Sequence, residues 1–345
     1  MAGRRTVEGL GMSDFWRGKR VLVTGATGLI GSWLAKALLA RGAVVTALVK
    51  DIEPQSELYR SGAANAIRIV QGRLEEYAVL ERAVSEHAVD SVFHLAAQAI
   101  VPVARRSPLA TFESNIRGTY HVLEACRQHQ DQVARVVVAS SDKAYGEQAE
   151  IYREDMRLDP AHPYDVSKAC GELLARSYTR TYGLPVAVAR CGNIFGGGDL
   201  NWSRIVPGTI RAALLREPLI IRSNGRLVRD YFFVKDAAEA YLALGEQVHR
   251  PEVSGEAFNF SMETPLSVLD LVARLQKLLA APGLDTVIAE TAQDELTHQA
   301  LSAKKARDVL GWRPRWELEE GLAETIAWYQ EYFAREEVAG EPSHG

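Results

Sequence analysis

Cysteine is scarce in this chain: Cys126, Cys170 and Cys191 are the only three in 345 residues. Their spacing matches no disulfide framework and no metal-ligand pattern, which points to buried thiols in a reducing, cytoplasmic setting with no bound metal. No apolar run approaches the roughly 20 residues that a membrane-spanning helix needs. Neither sign of charge dominates; the net charge of −4 offers no electrostatic handle for nucleic acid or a membrane surface. Low-complexity tracts and internal repeats are also missing. The first sixteen residues, MAGRRTVEGLGMSDFW, carry charge but no apolar core. They read as a loose leader, with Met12 as an alternative start, and not as a signal peptide.

What is present is a regular alternation. RVLVTGA (20–26), AVVTALVK (43–50), AIRIVQG (66–72), VDSVFHLAA (89–97), ARVVVASS (134–141) and PVAVARCGNIFG (185–196) read as strands. Between them lie helical patterns at 29–42, 77–87, 108–129 and about 164–182. Near-continuous Val, Ile, Leu and Ala runs separated by amphipathic helices imply a parallel sheet covered on both faces, an α/β fold of the doubly wound Rossmann type. Such sheets bind ligands at the carboxyl ends of their strands. The second half is less regular and reads as a smaller, mixed α/β lobe. The expected division is a flexible leader (1–16), a Rossmann domain (17–195) to which 228–250 returns, a ligand lobe (196–227 and 251–336), and a frayed tail (337–345).

TGATGLIG (24–31) places Gly25, Gly28 and Gly31 between the first strand and the first helix. Glycines there permit a tight turn, close approach of a pyrophosphate and tight helix–strand packing, and the helix N-terminus then faces the phosphates. Thr27, Leu29 and Ile30 belong to the same cofactor turn. Asp51 follows the second strand at the spacing of a ribose-binding acid. Lys50 beside it would suit a 2′-phosphate, but the acid favours NAD over NADP. Leu74, after the third strand, and Leu95, Ala96 and Ala97, ending the fourth, would line the cofactor, although Arg73 stands where adenine recognition calls for an acceptor. His94 reads as a buried core histidine.

In HPYDVSK (162–168), Tyr164 and Lys168 are four residues apart and share one helix face. An ammonium near a phenol lowers its pKa, so Tyr164 is expected to act as a base near neutral pH. Ser141, at the end of the preceding strand, can bond the same substrate hydroxyl. Asn193 is a neutral donor, and Arg229, like any arginine, has a planar fork that can bind a diphosphate. Arg204 is a further candidate, whereas Arg222 and Arg226 read as solvated surface charges.

Together TGATGLIG, FHLAAQ, NIRGT, PYDVSK, RCGNIFGGGD, RDYFFVKD and LSAKKARDVLGW resemble the extended short-chain dehydrogenase/reductases, in the NAD-dependent epimerase/dehydratase family. The resemblance runs from about Lys19 to about Tyr332. It implies a Rossmann lobe for NAD(P), a C-terminal lobe for a nucleoside diphosphate-sugar, and Ser141, Tyr164 and Lys168 as the catalytic set. It places Gln98, Asn193, Arg204 and Arg229 on the substrate. It also implies a homodimer, formed through the long helix at 108–129 and the Tyr-Lys helix.

Family members divide by the two residues after the catalytic Ser. By resemblance, 4-epimerases have small or apolar residues there, while 4,6-dehydratases carry two further groups beside C5 and C6 of the sugar. SSDKAYG (140–146) has Asp142 and Lys143 in that place, the form of the CDP-glucose 4,6-dehydratases. The implied roles are protonation of the C6 hydroxyl by Asp142 and removal of the C5 proton by Lys143, its pKa lowered by desolvation and neighbouring cations. The signatures are mixed, however. The Ala-Tyr-Gly continuation and the RDYFFVKD form are closer to epimerases and dTDP-sugar enzymes, and Asp165 replaces a commoner small polar residue. The leading expectation is an NAD-dependent nucleotide-sugar 4,6-dehydratase. The alternatives are a nucleotide-sugar 4-epimerase and a non-catalytic NAD(P)-binding protein.

Overall fold

Alternate residues of the first strand face opposite ways: Val21 and Val23 join one apolar core, Leu22 another. The same split recurs in the fifth strand, with Val137 on one side and Val136 and Val138 on the other. A strand with both faces buried can only be interior to a sheet covered by helices on both sides. The computed structural model, which describes residues 14–148, 150–291 and 296–339, has this layering.

The chain runs through β1 (Arg20–Thr24), α1 (Leu29–Ala40), β2 (Val44–Val49), α2 (Glu57–Arg60), β3 (Arg68–Gln71), α3 (Tyr77–Glu86) and β4 (Ser91–His94). It continues with α4 (Val101–Arg106), α5 (Pro108–Phe112), α6 (Gly118–Gln128), β5 (Arg135–Ala139), α7 (Pro163–Tyr182), β6 (Val186–Cys191) and β7 (Asn193–Phe195). Then come α8 (Ile205–Leu215), β8 (Leu219–Ile221), β9 (Val228–Phe233), α9 (Val234–Gln247), β10 (Ala257–Phe260) and β11 (Pro265–Ser267). The chain ends with α10 (Val268–Leu278), β12 (Thr286–Ile288), β13 (His298–Gln299) and α11 (Leu318–Ala339).

Seven parallel strands form the main sheet in the order β10-β6-β5-β4-β1-β2-β3. The order reverses between β1 and β4, so a crevice opens at their carboxyl ends, where a dinucleotide binds in folds of this kind. A smaller sheet, β11-β9-β13 with β7 on β9, carries a third apolar core that includes Phe195, Tyr231, Phe233, Leu271 and Tyr329. No helix among the described residues is long and apolar enough to cross a membrane.

The structure departs from the sequence reading in several places. Trp16, assigned to the loose leader, is fully buried, donates to Glu246 at 2.8 Å and packs on Phe93. An indole buried with its N–H satisfied anchors the chain end instead of leaving it loose. Residues 1–13 lie outside the described residues. The run read as one strand at 185–196 breaks at Gly192, where an added Cβ would lie 2.9 Å from the carbonyl of Asp230. There the chain leaves the main sheet and β7 pairs with β9. Correspondingly, β9, expected to return to the Rossmann domain, lies in the small sheet, and β10, expected in the ligand lobe, is the seventh main-sheet strand. Helix α9 does cover the main sheet, sharing its core with α1. The helix expected at 108–129 is interrupted by a π-turn at Glu113–Arg117, a feature common at functional sites. Helix α11 runs to Ala339, so the expected fraying does not begin at 337; residues 340–345 lie outside the described residues.

Candidate active site

The turn after β1 is shaped by missing side chains. Gly25 has φ +76°, and a Cβ on it would meet Ala96 N at 2.7 Å. A Cβ on Gly31 would meet Gly25 O at 2.1 Å. Only glycine fits either place without moving backbone. Gly28 is the exposed N-cap of α1, with no side-chain cap for the first-turn N–H groups, a shape suited to a pyrophosphate. The loop after β4 is held against this turn: Leu95 N donates to Thr24 O at 3.2 Å, and Ala96 N donates to Thr24 Oγ1 at 3.2 Å. Thr27, Leu29, Ile30 and Ala97 are partly exposed around it. A dinucleotide therefore fits the residues present.

His94 is the core histidine read from the sequence. Its Nδ1 lies 2.8 Å from Thr24 Oγ1 and its Nε2 lies 3.0 Å from Thr119 Oγ1. Burial, with help from the Lys168 charge, lowers its pKa to about 3, so the ring stays neutral. Asp51 and Lys50 are exposed just past β2 and paired at 3.3 Å. Leu74 is buried against Gly118 at the start of α6, and Arg73 is exposed beside it.

Helix α7 starts with Pro163 at N1 and closes with Gly183 in the left-handed region, its N–H on Thr179 O at 2.9 Å. It directs Tyr164 and Lys168 towards the end of β5. Lys168 Nζ donates to Ala139 O at 2.8 Å and lies 5.9 Å from the Tyr164 ring centroid. Burial lowers the Lys168 pKa to about 8, and the charge of Glu172 acts the other way. Tyr164 departs from expectation. Burial and the nearby Asp142 raise its pKa, outweighing the Ser141 hydrogen bond and the Arg204 charge. Burial keeps the phenol protonated in this arrangement, while the Lys168 ammonium bonds the strand carbonyl.

Ser141, Asp142 and Lys143 leave β5 in a single 3-10 turn, with Ser141 as its cap, accepting from Lys143 N at 3.2 Å. Asp142 is 3% exposed. Its Oδ1 accepts from Ser141 Oγ at 2.9 Å and its Oδ2 from Gln299 Nε2 at 3.1 Å. Burial raises its pKa against the pull of Lys143, the Ser141 hydrogen bond and Arg229. Lys143 Nζ lies 3.4 Å from Gln299 Oε1. The adjoining Tyr145 is fully buried, accepts from Arg190 at 2.6 Å and donates to Asn259 at 2.8 Å. It therefore packs beneath the site. Arg190 is also paired with Glu172, at 2.9 Å through Nε.

The candidate substrate residues are spread around this turn. Asn193 Nδ2 is buried without a hydrogen-bond partner in the protein, the condition of a donor whose acceptor is a ligand. Arg229 is buried on β9, its charge felt by Asp142. Arg204 pairs with Asp199 at 3.0 Å, and its charge reaches Tyr164. The side chain of Gln98 folds back to accept from Ile100 N at 3.0 Å. Arg222 and Arg226 are exposed, Arg222 donating to Ser203 O at 3.1 Å.

Three residues that the structure places around the site are not marked as site residues by sequence reasoning. Gln299 lies in THQALSAKK, which has no motif marking it. Asn115 is passed over inside NIRGT, although it sits in the π-turn; it accepts from Gln98 N at 2.7 Å and donates to Ser167 Oγ at 2.9 Å. Asp165, notable in sequence only as unusual, is buried in the first turn of α7. Its Oδ1 has no hydrogen-bond partner, and its pKa is raised by burial against the opposing charge of Lys143.

The model of the NAD dependent epimerase/dehydratase family matches residues 21–260. A CDP-glucose 4,6-dehydratase of Salmonella typhimurium is 29% identical over 340 residues, covering 94% of each chain. The structure is similar, at a TM-score of 0.83 and 27% identity, to a Thermotoga maritima UDP-glucose 4-epimerase with UDP-glucose, covering 91% of this chain and 99% of that one. A dTDP-glucose 4,6-dehydratase of Streptomyces venezuelae with NAD bound has a TM-score of 0.82 and 28% identity, covering 90% and 97%.

Proposed function

The chain belongs to the NAD-dependent epimerase/dehydratase family, and from that premise we propose that it is a nucleotide-sugar 4,6-dehydratase acting on CDP-glucose. The observation that carries this reading is Asp142: a buried carboxyl with a raised pKa, next to Lys143 and one residue from Ser141. A 4-epimerase has no step that needs an acid and a base at C5 and C6. The Asp-Lys form and the Salmonella relative support CDP-glucose as substrate.

NAD, when bound, would supply the acceptor for the C4 hydride and the donor for C6. The Rossmann turn holds the cofactor through Gly25, Gly28 and Gly31, and Asp51 takes the ribose hydroxyls, which favours NAD over NADP. Ser141 bonds the C4 hydroxyl, and Tyr164, once ionised, accepts its proton. The Lys168 ammonium, still mostly protonated at neutral pH with a pKa of about 8, stabilises the phenolate. The 4-keto group acidifies the C5 proton, which Lys143 removes as the base. The C6–O bond breaks as Asp142 donates its proton, so water leaves and a C5–C6 double bond forms. Lys143 then returns a proton to C5 as C6 is reduced. The net change is loss of one water, giving the 4-keto-6-deoxy sugar. Asn193, Arg204 and Arg229 hold the diphosphate. The working unit is a homodimer formed through α5, α6 and α7, which expose Leu109, Tyr120 and Leu173.

The test is incubation with CDP-, UDP-, dTDP- and GDP-glucose. Dehydration yields a 4-keto product that absorbs in the ultraviolet in alkali. A second reading, 4-epimerase, is favoured by the likeness to the Thermotoga structure; it requires an isomer with no such absorbance.

A further inference from the structure

Gln299 lies 157 residues from Asp142 in sequence, yet its amide touches both members of the Asp-Lys pair. It sits on β13 beside β9, opposite Arg229 in register, and is fully buried. The Nε2 group donates to Asp142 Oδ2 at 3.1 Å, and Oε1 accepts from Lys143 Nζ at 3.4 Å. In this orientation the amide NH₂ faces the Asp142 carboxyl and the amide oxygen faces the Lys143 amine. A primary amide nitrogen can only donate, so the oxygen of Asp142 that it contacts must accept. The other oxygen, Oδ1, faces Ser141, whose hydroxyl can donate or accept.

We infer that Gln299 is a positioning residue that selects which oxygen of Asp142 carries the acid proton and aims the amine of Lys143. The inference rests on the dehydratase reading. With Oδ2 committed to the amide, the proton resides on Oδ1, on the side of Ser141 and Tyr164 where the sugar is handled. The same amide holds one N–H of Lys143 and so orients the nitrogen lone pair. Gln299 bonds Asp142 and Lys143 rather than the Ser141–Tyr164–Lys168 set, so elimination should depend on it far more than oxidation does. Because β13 belongs to the small sheet, the amide that holds the acid–base pair after β5 comes from a different sheet than the pair itself.

The experiment compares wild type with Gln299→Leu and Gln299→Met, which fill the space without an amide. Each is mixed with NAD and whichever of the four nucleotide-glucoses the wild type dehydrates. C4 oxidation is followed by the absorbance of reduced cofactor, and elimination by product formation. Expected is a dehydration kcat lowered by about 10²-fold, with KM and the oxidation rate within about threefold of wild type and reduced cofactor accumulating on the enzyme. Persistence of oxidation shows in the same tubes that the variants are folded. Full dehydration in both variants overturns the inference. So does an equal loss of oxidation and elimination, the mark of a structural role. A wild type that only isomerises its substrate removes the dehydratase reading and this inference with it, whereas an active wild type with unaffected variants removes this inference alone.

Discussion

At the β1 end of the site, Gly25, Gly28 and Gly31 make room by lacking side chains; at the β5 end, Asp142, Lys143 and Gln299 act through charge and hydrogen bonds. The first region is contiguous in sequence and is formed by backbone alone. The second is gathered from β5, α7, β9 and β13, and four of its ionisable groups, Asp142, Tyr164, Asp165 and Lys168, have pKa values displaced by burial. The two regions should therefore fail in opposite ways. The cofactor end fails when atoms are added, the sugar end when a proton or a partner is removed.

The largest effect is expected from Tyr164→Phe, which removes the base for C4 oxidation. Turnover should fall about 10³- to 10⁴-fold, with NAD affinity unchanged in a cofactor titration, since no glycine contact is touched. Asp142→Asn comes next. It should slow elimination by about 10²- to 10³-fold while C4 oxidation continues, seen as reduced cofactor without 4-keto-6-deoxy product. Gly31→Ala tests the other region. Its Cβ would lie 2.1 Å from Gly25 O, so the turn must open, weakening NAD by about ten- to a hundredfold and costing about 1–3 kcal/mol in unfolding experiments. The proton chemistry at saturating NAD should survive it.

The smallest effect at neutral pH is that of His94→Gln, at a ring that bonds Thr24 at the cofactor end and Thr119 on α6. Between pH 6.5 and about 3 the unfolded chain binds a proton that folded His94 refuses. Stability is therefore lost as pH falls through this window, by up to about 1.4 kcal/mol per pH unit from this group. The variant should lose this part of the slope in acid unfolding curves and show little change at pH 7.

The same contrast explains what could be read from the sequence. The Rossmann turn was legible because its constraint is local: three glycines, one strand and one helix within a dozen residues. Tyr164 and Lys168 were legible for the same reason, four positions apart on one helix. The environment of Tyr164 was not, because burial of the phenol beside Asp142 depends on how α7 meets the turn after β5. Gln299 was invisible, since its function depends on partners 157 positions away and nothing in its neighbourhood sets it apart. The break at Gly192 was missed for a related reason. β6 and β7 are both apolar and β-prone, and only the crowding by Asp230 reveals that they serve different sheets. Tyr145, which in sequence weighs towards an epimerase, belongs to the packing beneath the site.

The central claim is that Asp142 and Lys143 eliminate water across C5 and C6. Its most direct test is the incubation of wild-type protein with NAD and CDP-glucose in heavy water, with the product read by mass and proton NMR. Elimination by this pair predicts a 4-keto-6-deoxy sugar that has lost one water, carries solvent deuterium at C5, and has at C6 the hydrogen that left C4. An isomer of unchanged composition, with its original hydrogen at C5, would contradict it.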